Sequence, residues 1–165
     1  MFKVNIIVED SKWKKEIPTI EKMLKKNVKK IYSSITRTRK KKNLEISVLL
    51  TNKTKMKKLN KDFRKTLKDT DVLSFPHYEK KFFLKKKLIT VNKIYLGDLA
   101  FSYDYIKKQK INFAECVNKI FIHGCLHLVG YEHDNLKNYK EMHTLEKKLL
   151  DIVWLKLNKK VLSKN

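Results

Sequence analysis

Three of the five histidines in this 165-residue sequence lie within eleven positions, in the segment HGCLHLVGYEH that runs from His123 to His133. His123 and His127 are four residues apart, so a helix places both on one face, roughly 6 Å apart along its axis. Gly130 permits the left-handed backbone that ends a helix and lets the chain bring His133 back. Three imidazole ligands with a fourth position left open are typical of a catalytic zinc site. We therefore predict one zinc ion per chain, held by these three histidines.

The other candidate ligands fit this site less well. Cys125 lies about 200° from His123 around a helix, which argues against a structural zinc site that uses cysteine. His143 follows His133 by ten residues and is predicted to lie off its face. His77 follows Pro76 in a loop and is at most peripheral to the site. Imidazole ligands suit several divalent ions, so the sequence leaves the identity of the metal open.

The spacing of the histidines also fits the metzincin pattern H-E-x-x-H-x-x-G-x-x-H, with one departure. Gly124 stands where those proteases carry the glutamate that acts as general base. A bound metal could still activate water or polarise a phosphoryl oxygen. The segment therefore predicts hydrolytic chemistry and argues against a peptidase.

The hydrophobic pattern predicts strands and helices that could position this segment. The predicted strands are Lys3–Glu9, Leu44–Leu50, Thr70–Phe75 and Ile94–Phe101, and the predicted helices are Ile17–Ile35, Asn52–Phe63, Ser102–Gln109, Asn112–Val129 and Asp134–Leu157. Asn112 and Glu115 have the spacing of a helix N-cap with its third residue. The segment Tyr78–Asn92 shows no clear period and is predicted to be a loop or ragged hairpin. The order of elements indicates an α+β fold or a compact α/β sandwich.

Composition and charge point to a polyanionic partner. The chain has 42% apolar residues, three glycines and two prolines, which excludes a disordered or collagen-like protein. Its formal net charge is +23, from 37 lysines and three arginines against 17 acidic residues. A charge of this size favours nucleic acid first and an anionic membrane surface second. No signal peptide or membrane span is predicted, and Cys116 and Cys125, nine residues apart on one predicted helix, cannot form a disulfide. We therefore expect a cytoplasmic protein.

The three-histidine segment resembles the signature H-G-x-L-H-L-x-G-y-D-H of the YbeY family, which are metal-dependent endoribonucleases of ribosomal RNA maturation. Three upstream segments are similar to other blocks of that family in the same order: Asn60–Arg64 (NKDFR), Thr70–Pro76 (TDVLSFP) and Leu96–Leu99 (LGDL). The resemblance covers about residues 60–135. Glu132 departs from the pattern, because the family usually has aspartate there.

This resemblance implies a single α+β domain over residues 1–165, with helices around a small mixed β-sheet and one zinc-type ion. It implies single-stranded RNA as substrate and a role in maturation of the 3′ end of 16S-type ribosomal RNA, in ribosome quality control and at the small ribosomal subunit. It also implies that Arg64 is the functional arginine. A guanidinium there can bind two phosphoryl oxygens while charge develops on them.

Several alternatives stay open at this point. The chain could be a non-catalytic RNA-binding factor of ribosome assembly with a structural metal. It could also be a metzincin-like peptidase, although Gly124 argues against this. Asp98 could orient a ligand imidazole or simply lie at a turn at the end of a strand. The general base, the RNA that is cut, the protein partners and the oligomeric state are not predicted.

Overall fold

The computed structural model describes residues 2–35, 43–78 and 93–162, with side chains up to residue 154. This part of the chain forms four strands and six helices. The strands are β1 Phe2–Val8, β2 Asn43–Thr51, β3 Val72–Pro76 and β4 Lys93–Ser102. The helices are α1 Lys12–Glu16, α2 Ile20–Ile35, α3 Lys53–Arg64, α4 Tyr103–Lys107, α5 Phe113–Leu128 and α6 Leu136–Leu162.

The four strands form one mixed sheet in the order β1-β2-β4-β3. β1 pairs parallel to β2 and β2 parallel to β4, whereas β3 runs antiparallel to β4. The expected α+β class with a small mixed sheet is thus confirmed. The predicted helices and strands are all present, with ends shifted by a few residues. Most of the predicted loop Tyr78–Asn92 lies outside the described residues.

Helices cover both faces of the sheet because successive side chains of a strand point to opposite faces and the central strands β2 and β4 carry buried or half-buried apolar residues on both. Leu99 of β4 belongs to the larger core, on the face where α2 packs on β1 and where α5 packs on β3 and β4. Its neighbour Ala100 points the opposite way and packs with Met56 of α3 and Leu73 of β3 in a second, smaller cluster. The sheet therefore lies between α3 on one side and the helices α2 and α5 on the other.

The strand β4 contains a bulge. Tyr95 pairs with Glu45 and Gly97 pairs with Ile46, so Leu96 is an extra residue in β4. Gly97 has φ 132°, and a Cβ there would lie 2.1 Å from the carbonyl oxygen of Phe75. Only glycine can occupy this position without moving the neighbouring strand.

The last helix, α6, packs against both α5 and α2. Lys30 of α2 reaches its backbone, and its Nζ donates to the carbonyl oxygens of Ile152 and Val153 at 3.3 and 3.1 Å. Met142, Leu149 and Val153 supply the buried apolar side of α6. These contacts hold α6 against α5 and α2.

Cys116 and Cys125 are both buried in α5 as free thiols, as the sequence predicts.

The short helix α1 is not predicted by the sequence. Its Trp13 is fully buried and donates from Nε1 to the carbonyl oxygen of Thr51 at 3.0 Å. Within the described ranges, none of the helices combines the length and the apolar character that a membrane span requires.

Candidate metal centre

Helix α5 carries two of the three histidines, and both of its ends are capped as the sequence predicts. At its start, the Asn112 side chain accepts from the backbone N–H of Glu115 at 3.1 Å. At its end, the N–H of Tyr131 donates to the carbonyl of Leu126 at 3.1 Å, and the N–H of Gly130 donates to that of His127 at 3.0 Å. This pair of bonds is the Schellman motif. Gly130 supplies the positive φ, 90°, that the motif requires.

The turn after α5 brings His133 back beside the helix. Its ring centroid lies 5.3 Å from that of His123 and 5.0 Å from that of His127, and the two helical rings are 4.6 Å apart. One nitrogen from each ring can be chosen so that all three lie within 4.8 Å of one another. His123 and His127 are half-buried, whereas His133 is exposed. The three side chains thus form a cluster, called here the histidine triad, that could hold a metal ion.

Hydrogen bonds at Nδ1 fix which nitrogens face the centre of the triad. His127 Nδ1 lies 2.9 Å from the carbonyl oxygen of Tyr131, and because a carbonyl only accepts, this nitrogen must carry the proton. His123 Nδ1 lies 2.6 Å from Oε1 of Glu146, to which it donates when that carboxylate is ionised. In the neutral rings both Nε2 atoms are then unprotonated, and they face each other at 3.0 Å.

This arrangement fits a metal ion. Two nitrogen lone pairs that face each other repel unless a cation lies between them. Ligand nitrogens at the Zn–N distance of about 2.0–2.1 Å in a tetrahedral site are separated by roughly 3.3 Å, close to the observed Nε2 separation. Metal-bound histidines also usually donate their other ring N–H to a carboxylate or a backbone carbonyl, as His123 and His127 do.

The protonation states agree with this donor set. Burial, together with the neighbouring His123, lowers the pKa of His127 to about 4. His127 is therefore neutral near pH 7 and can offer its lone pair. Burial alone raises the pKa of Glu146, but the hydrogen bond and charge of His123 and the nearby His143 outweigh it, so the pKa of this carboxyl is lowered overall. Glu146 is therefore ionised and can accept from His123.

Sequence reasoning missed Glu146 and underestimated His143. A pocket of about 40 Å³ beside the triad is lined by His123, His133, Tyr139, Met142, His143 and Glu146. His143 was assigned an ordinary role, yet its Nδ1 lies 3.7 Å from Oε2 of Glu146. Both residues come from α6, and no local motif connects them with the three-histidine segment. Only their spacing of three residues, which places them on one helix face, was visible in the sequence.

The structure places Arg64 at the exposed C-terminus of α3, outside the residues that line this pocket. The neighbouring Phe63 packs its ring against Phe75 of β3, with centroids 4.9 Å apart. One residue earlier in β3, Ser74 lies against Gly124 of α5. The segment that carries Arg64 is therefore connected through β3 to the helix that carries the triad.

Asp98 does not have the orienting role that we considered for it. It is exposed within β4, where its Oδ1 accepts from the hydroxyl of Tyr95 at 2.6 Å. The carboxylate that orients a triad imidazole is Glu146. His77 is exposed, with its ring against those of Tyr78 and Tyr95, and is not among the residues that line the pocket.

Comparison with known proteins agrees with this geometry. Residues 7–153 match the family model described as endoribonuclease YbeY. The chain belongs to the YbeY family. Curated proteins named endoribonuclease YbeY include one from Pelagibacter ubique, 41% identical over 152 residues that cover 86% of this chain and 90% of the relative. Another, from Sulfurihydrogenibium, is 35% identical over 156 residues, which cover 90% of this chain and 92% of that protein.

The fold is also similar to a solved structure, the solution structure of TM1509 from Thermotoga maritima. The TM-score is 0.58 at 25% identity, and the match covers 97% of this chain and 93% of that one. Membership of the YbeY family supports an RNA endonuclease role for this chain.

The segments that resemble YbeY blocks form one contiguous unit in the fold. NKDFR ends α3, TDVLSFP leads into and forms β3, LGDL contains the β4 bulge, and the histidine signature forms the end of α5 and the turn after it. β3 pairs with β4 and also packs against α5. These segments are far apart in sequence, and the sheet connects them: β3 and β4 pack under α5, whereas NKDFR ends α3 on the other face of the sheet.

The glycine of the YbeY-like signature also has a packing role. A Cβ on Gly124 would lie 2.8 Å from a methyl group of the buried Leu99 and 3.4 Å from Oγ of Ser74. A side chain at this position would therefore point into the contact between α5 and the sheet. The glutamate that serves metzincins as general base has no room here, and this supports the argument against a peptidase.

Proposed function

We propose that this chain is a metal-dependent single-strand endoribonuclease whose zinc ion is held by His123, His127 and His133. The observation that carries this proposal is the pair of Nε2 atoms that face each other at 3.0 Å, while the Nδ1 atom of each ring lies against an acceptor oxygen. The YbeY relatives supply the RNA endonuclease role. The net charge of +23 supplies the attraction to a phosphate backbone.

When bound, the metal supplies Lewis-acid chemistry, which activates a nucleophile or polarises a phosphoryl oxygen. The chain's own residues prepare the site for it. Glu146 and the carbonyl of Tyr131 each hold the proton of one imidazole at Nδ1, so both rings present Nε2 as the free donor. The exposed position of His133 leaves one side of the triad open to a substrate.

Arg64 is proposed to bind the phosphate that is cut. Its planar guanidinium can donate to two phosphoryl oxygens at once, which an ammonium group cannot do in the same geometry. The chain has 37 lysines and three arginines, so an arginine in the NKDFR block suggests that this geometry matters there. Its exposure at the end of α3 leaves the side chain accessible to a polynucleotide.

The finer role of the enzyme is proposed from its resemblance to the YbeY family. We propose that the substrate is single-stranded ribosomal RNA, that the reaction matures the 3′ end of 16S-type RNA and contributes to ribosome quality control, and that the small ribosomal subunit is the partner. The cytoplasm is the proposed location, as it was expected from the sequence.

Elemental analysis of the purified chain, together with cleavage of a single-stranded RNA with and without chelator, tests this proposal. We expect one zinc per chain, cleavage that chelator abolishes, and loss of both in the triple variant His123→Ala, His127→Ala, His133→Ala. Binding of RNA without cleavage by the metal-loaded protein would instead support the non-catalytic assembly factor. Digestion of casein would support a peptidase.

A further inference from the structure

The first turns of α6 expose an unusual set of side chains. Leu136 is 70% exposed and Tyr139 is 51% exposed. With His143, also exposed, they follow a spacing of three and four residues, which places them along one stripe of the helix. In a chain that places lysine at most of its exposed helical positions, an uncharged stripe next to the triad calls for a physical reason.

Two of these side chains form a flat aromatic surface. The rings of Tyr139 and His143 are nearly parallel, with an interplanar angle of 7° and centroids 5.6 Å apart. His143 is held on its other side by Glu146, whose Oε2 lies 3.7 Å from Nδ1 of the imidazole. The ring of Tyr139 is thus held in a stacked pair with His143 and offers an aromatic face to a ligand.

This surface is continuous with the histidine triad. Tyr139 and His143 line the same pocket as His123 and His133. Contacts lead from Tyr139 to His143, from His143 to Glu146, and from Glu146 to His123. Because these side chains and two triad histidines line one pocket, a base that stacks on this surface lies beside the triad, and its adjoining backbone can reach it.

We propose that Tyr139 and His143 form a stacking subsite for one unpaired nucleobase of the RNA next to the cleaved phosphate. This inference rests on the proposed function and adds a base-binding element to it. The lysine-rich surface attracts the phosphates, and an aromatic face binds the base between them, a combination that proteins use for single-stranded nucleic acid. Since every base has a π-face, the subsite favours unpaired over paired RNA and discriminates little between sequences.

The test compares two labelled probes of about ten nucleotides. One is single-stranded oligoadenylate, and the other is an abasic ribose-phosphate chain of equal length. Binding to the full-length purified chain is followed by fluorescence anisotropy in the cold, and the integrity of each probe is checked on a denaturing gel. The variants are Tyr139→Ala, Tyr139→Phe and, as a matched control, Tyr105→Ala, which removes an exposed tyrosine from α4 away from the pocket.

We expect Tyr139→Ala to weaken binding of oligoadenylate by about 5- to 150-fold and binding of the abasic chain by less than about two-fold. Tyr139→Phe, which keeps the aromatic face, should bind like the wild type, and so should Tyr105→Ala. An unchanged affinity of Tyr139→Ala for oligoadenylate, or an equal loss on the abasic chain, would overturn the subsite while the proposed function stands. If the wild type bound neither probe, the proposed function would fail and the subsite with it.

Discussion

Replacement of Glu146 with glutamine removes the charge from the group that accepts the Nδ1 proton of His123 at 2.6 Å. Glutamine keeps a carbonyl oxygen of similar reach, so the hydrogen bond can persist in its neutral form. A hydrogen bond to a charged group contributes about 1.5–3 kcal/mol and a neutral one about 0.5–1.5 kcal/mol. The side chains of His123 and Glu146 are 33% and 25% exposed, which favours the lower end of these ranges.

At the lower end of both ranges the loss is about 1 kcal/mol, which corresponds to roughly fivefold weaker metal binding by Glu146→Gln, because about 1.4 kcal/mol is a factor of ten. Glu146→Ala removes the acceptor altogether and should weaken metal binding by up to about 100-fold. Zinc affinity is therefore expected to fall in the order wild type, Glu146→Gln, Glu146→Ala. If Glu146 acted only by packing, Glu146→Gln, which has nearly the same shape, would bind zinc like the wild type.

Zinc affinity is measured by competition with a chromogenic chelator, with the melting temperature of the metal-free proteins as a check on folding. Glu141→Gln is the matched control, because it removes the same charge from an exposed position of the same helix. Its zinc affinity should equal that of the wild type within about two-fold. If Glu146→Gln bound zinc as tightly as the control, orientation of His123 by the Glu146 charge would be refuted.

Three further predictions concern other parts of the structure. Arg64→Ala should keep the fold and the metal but reduce cleavage of single-stranded RNA by roughly 10²–10³-fold, and Arg64→Lys should recover binding more than rate; a wild-type rate for Arg64→Ala would make Arg64 an ordinary surface residue. The pKa of His127 is lowered to about 4 in the folded protein, so the unfolded chain binds more protons below pH 6.5. The metal-free wild type should therefore lose roughly 2–3 kcal/mol more stability than His127→Gln as the pH falls from about 6.5 to 4; parallel urea-denaturation profiles would contradict this. Gly97→Ala should destabilise the fold by at least about 3 kcal/mol in urea, since its Cβ would lie 2.1 Å from the Phe75 oxygen at φ 132°; a loss below about 1 kcal/mol would mean that the β4 bulge relaxes freely.

The arrangement of the triad was predictable because its determinants are local. His123, His127, Gly130 and His133 lie within one helix end and one turn, where helical geometry and a positive φ are enough to bring three rings together. The Schellman bonds of this turn also place the Tyr131 carbonyl at His127. No tertiary information is needed for any of these steps.

Glu146 could not be predicted in the same way. It lies 23 residues after His123 and on a different helix. Its contact depends on how α6 packs on α5 and α2, which side-chain spacing along either helix does not determine. The short helix α1 was missed for another reason, because five residues are too few to show a helical period.

The face of the sheet on which Asp98 lies depends on the bulge in β4. In a regular strand, residues three apart point to opposite faces. The bulge at Leu96 adds one residue to β4, so Tyr95 and Asp98 lie on the same face and their side chains form a hydrogen bond. A prediction based on strict alternation along β4 would therefore assign the residues after Leu96 to the wrong face of the sheet.

The hydrogen bonds from Lys30 to the backbone of α6 bear on how amino-acid substitutions outside the site should be interpreted. Lys30 lies on α2, outside the pocket, and holds the same helix that carries Glu146 and the proposed base-stacking residues. Loss of these two hydrogen bonds would remove one of the contacts that hold α6 in place, so we expect a substitution at position 30 to act on metal affinity and RNA binding only through the position of this helix. An effect of such a substitution on function would therefore report on helix packing and would not show that Lys30 touches metal or substrate.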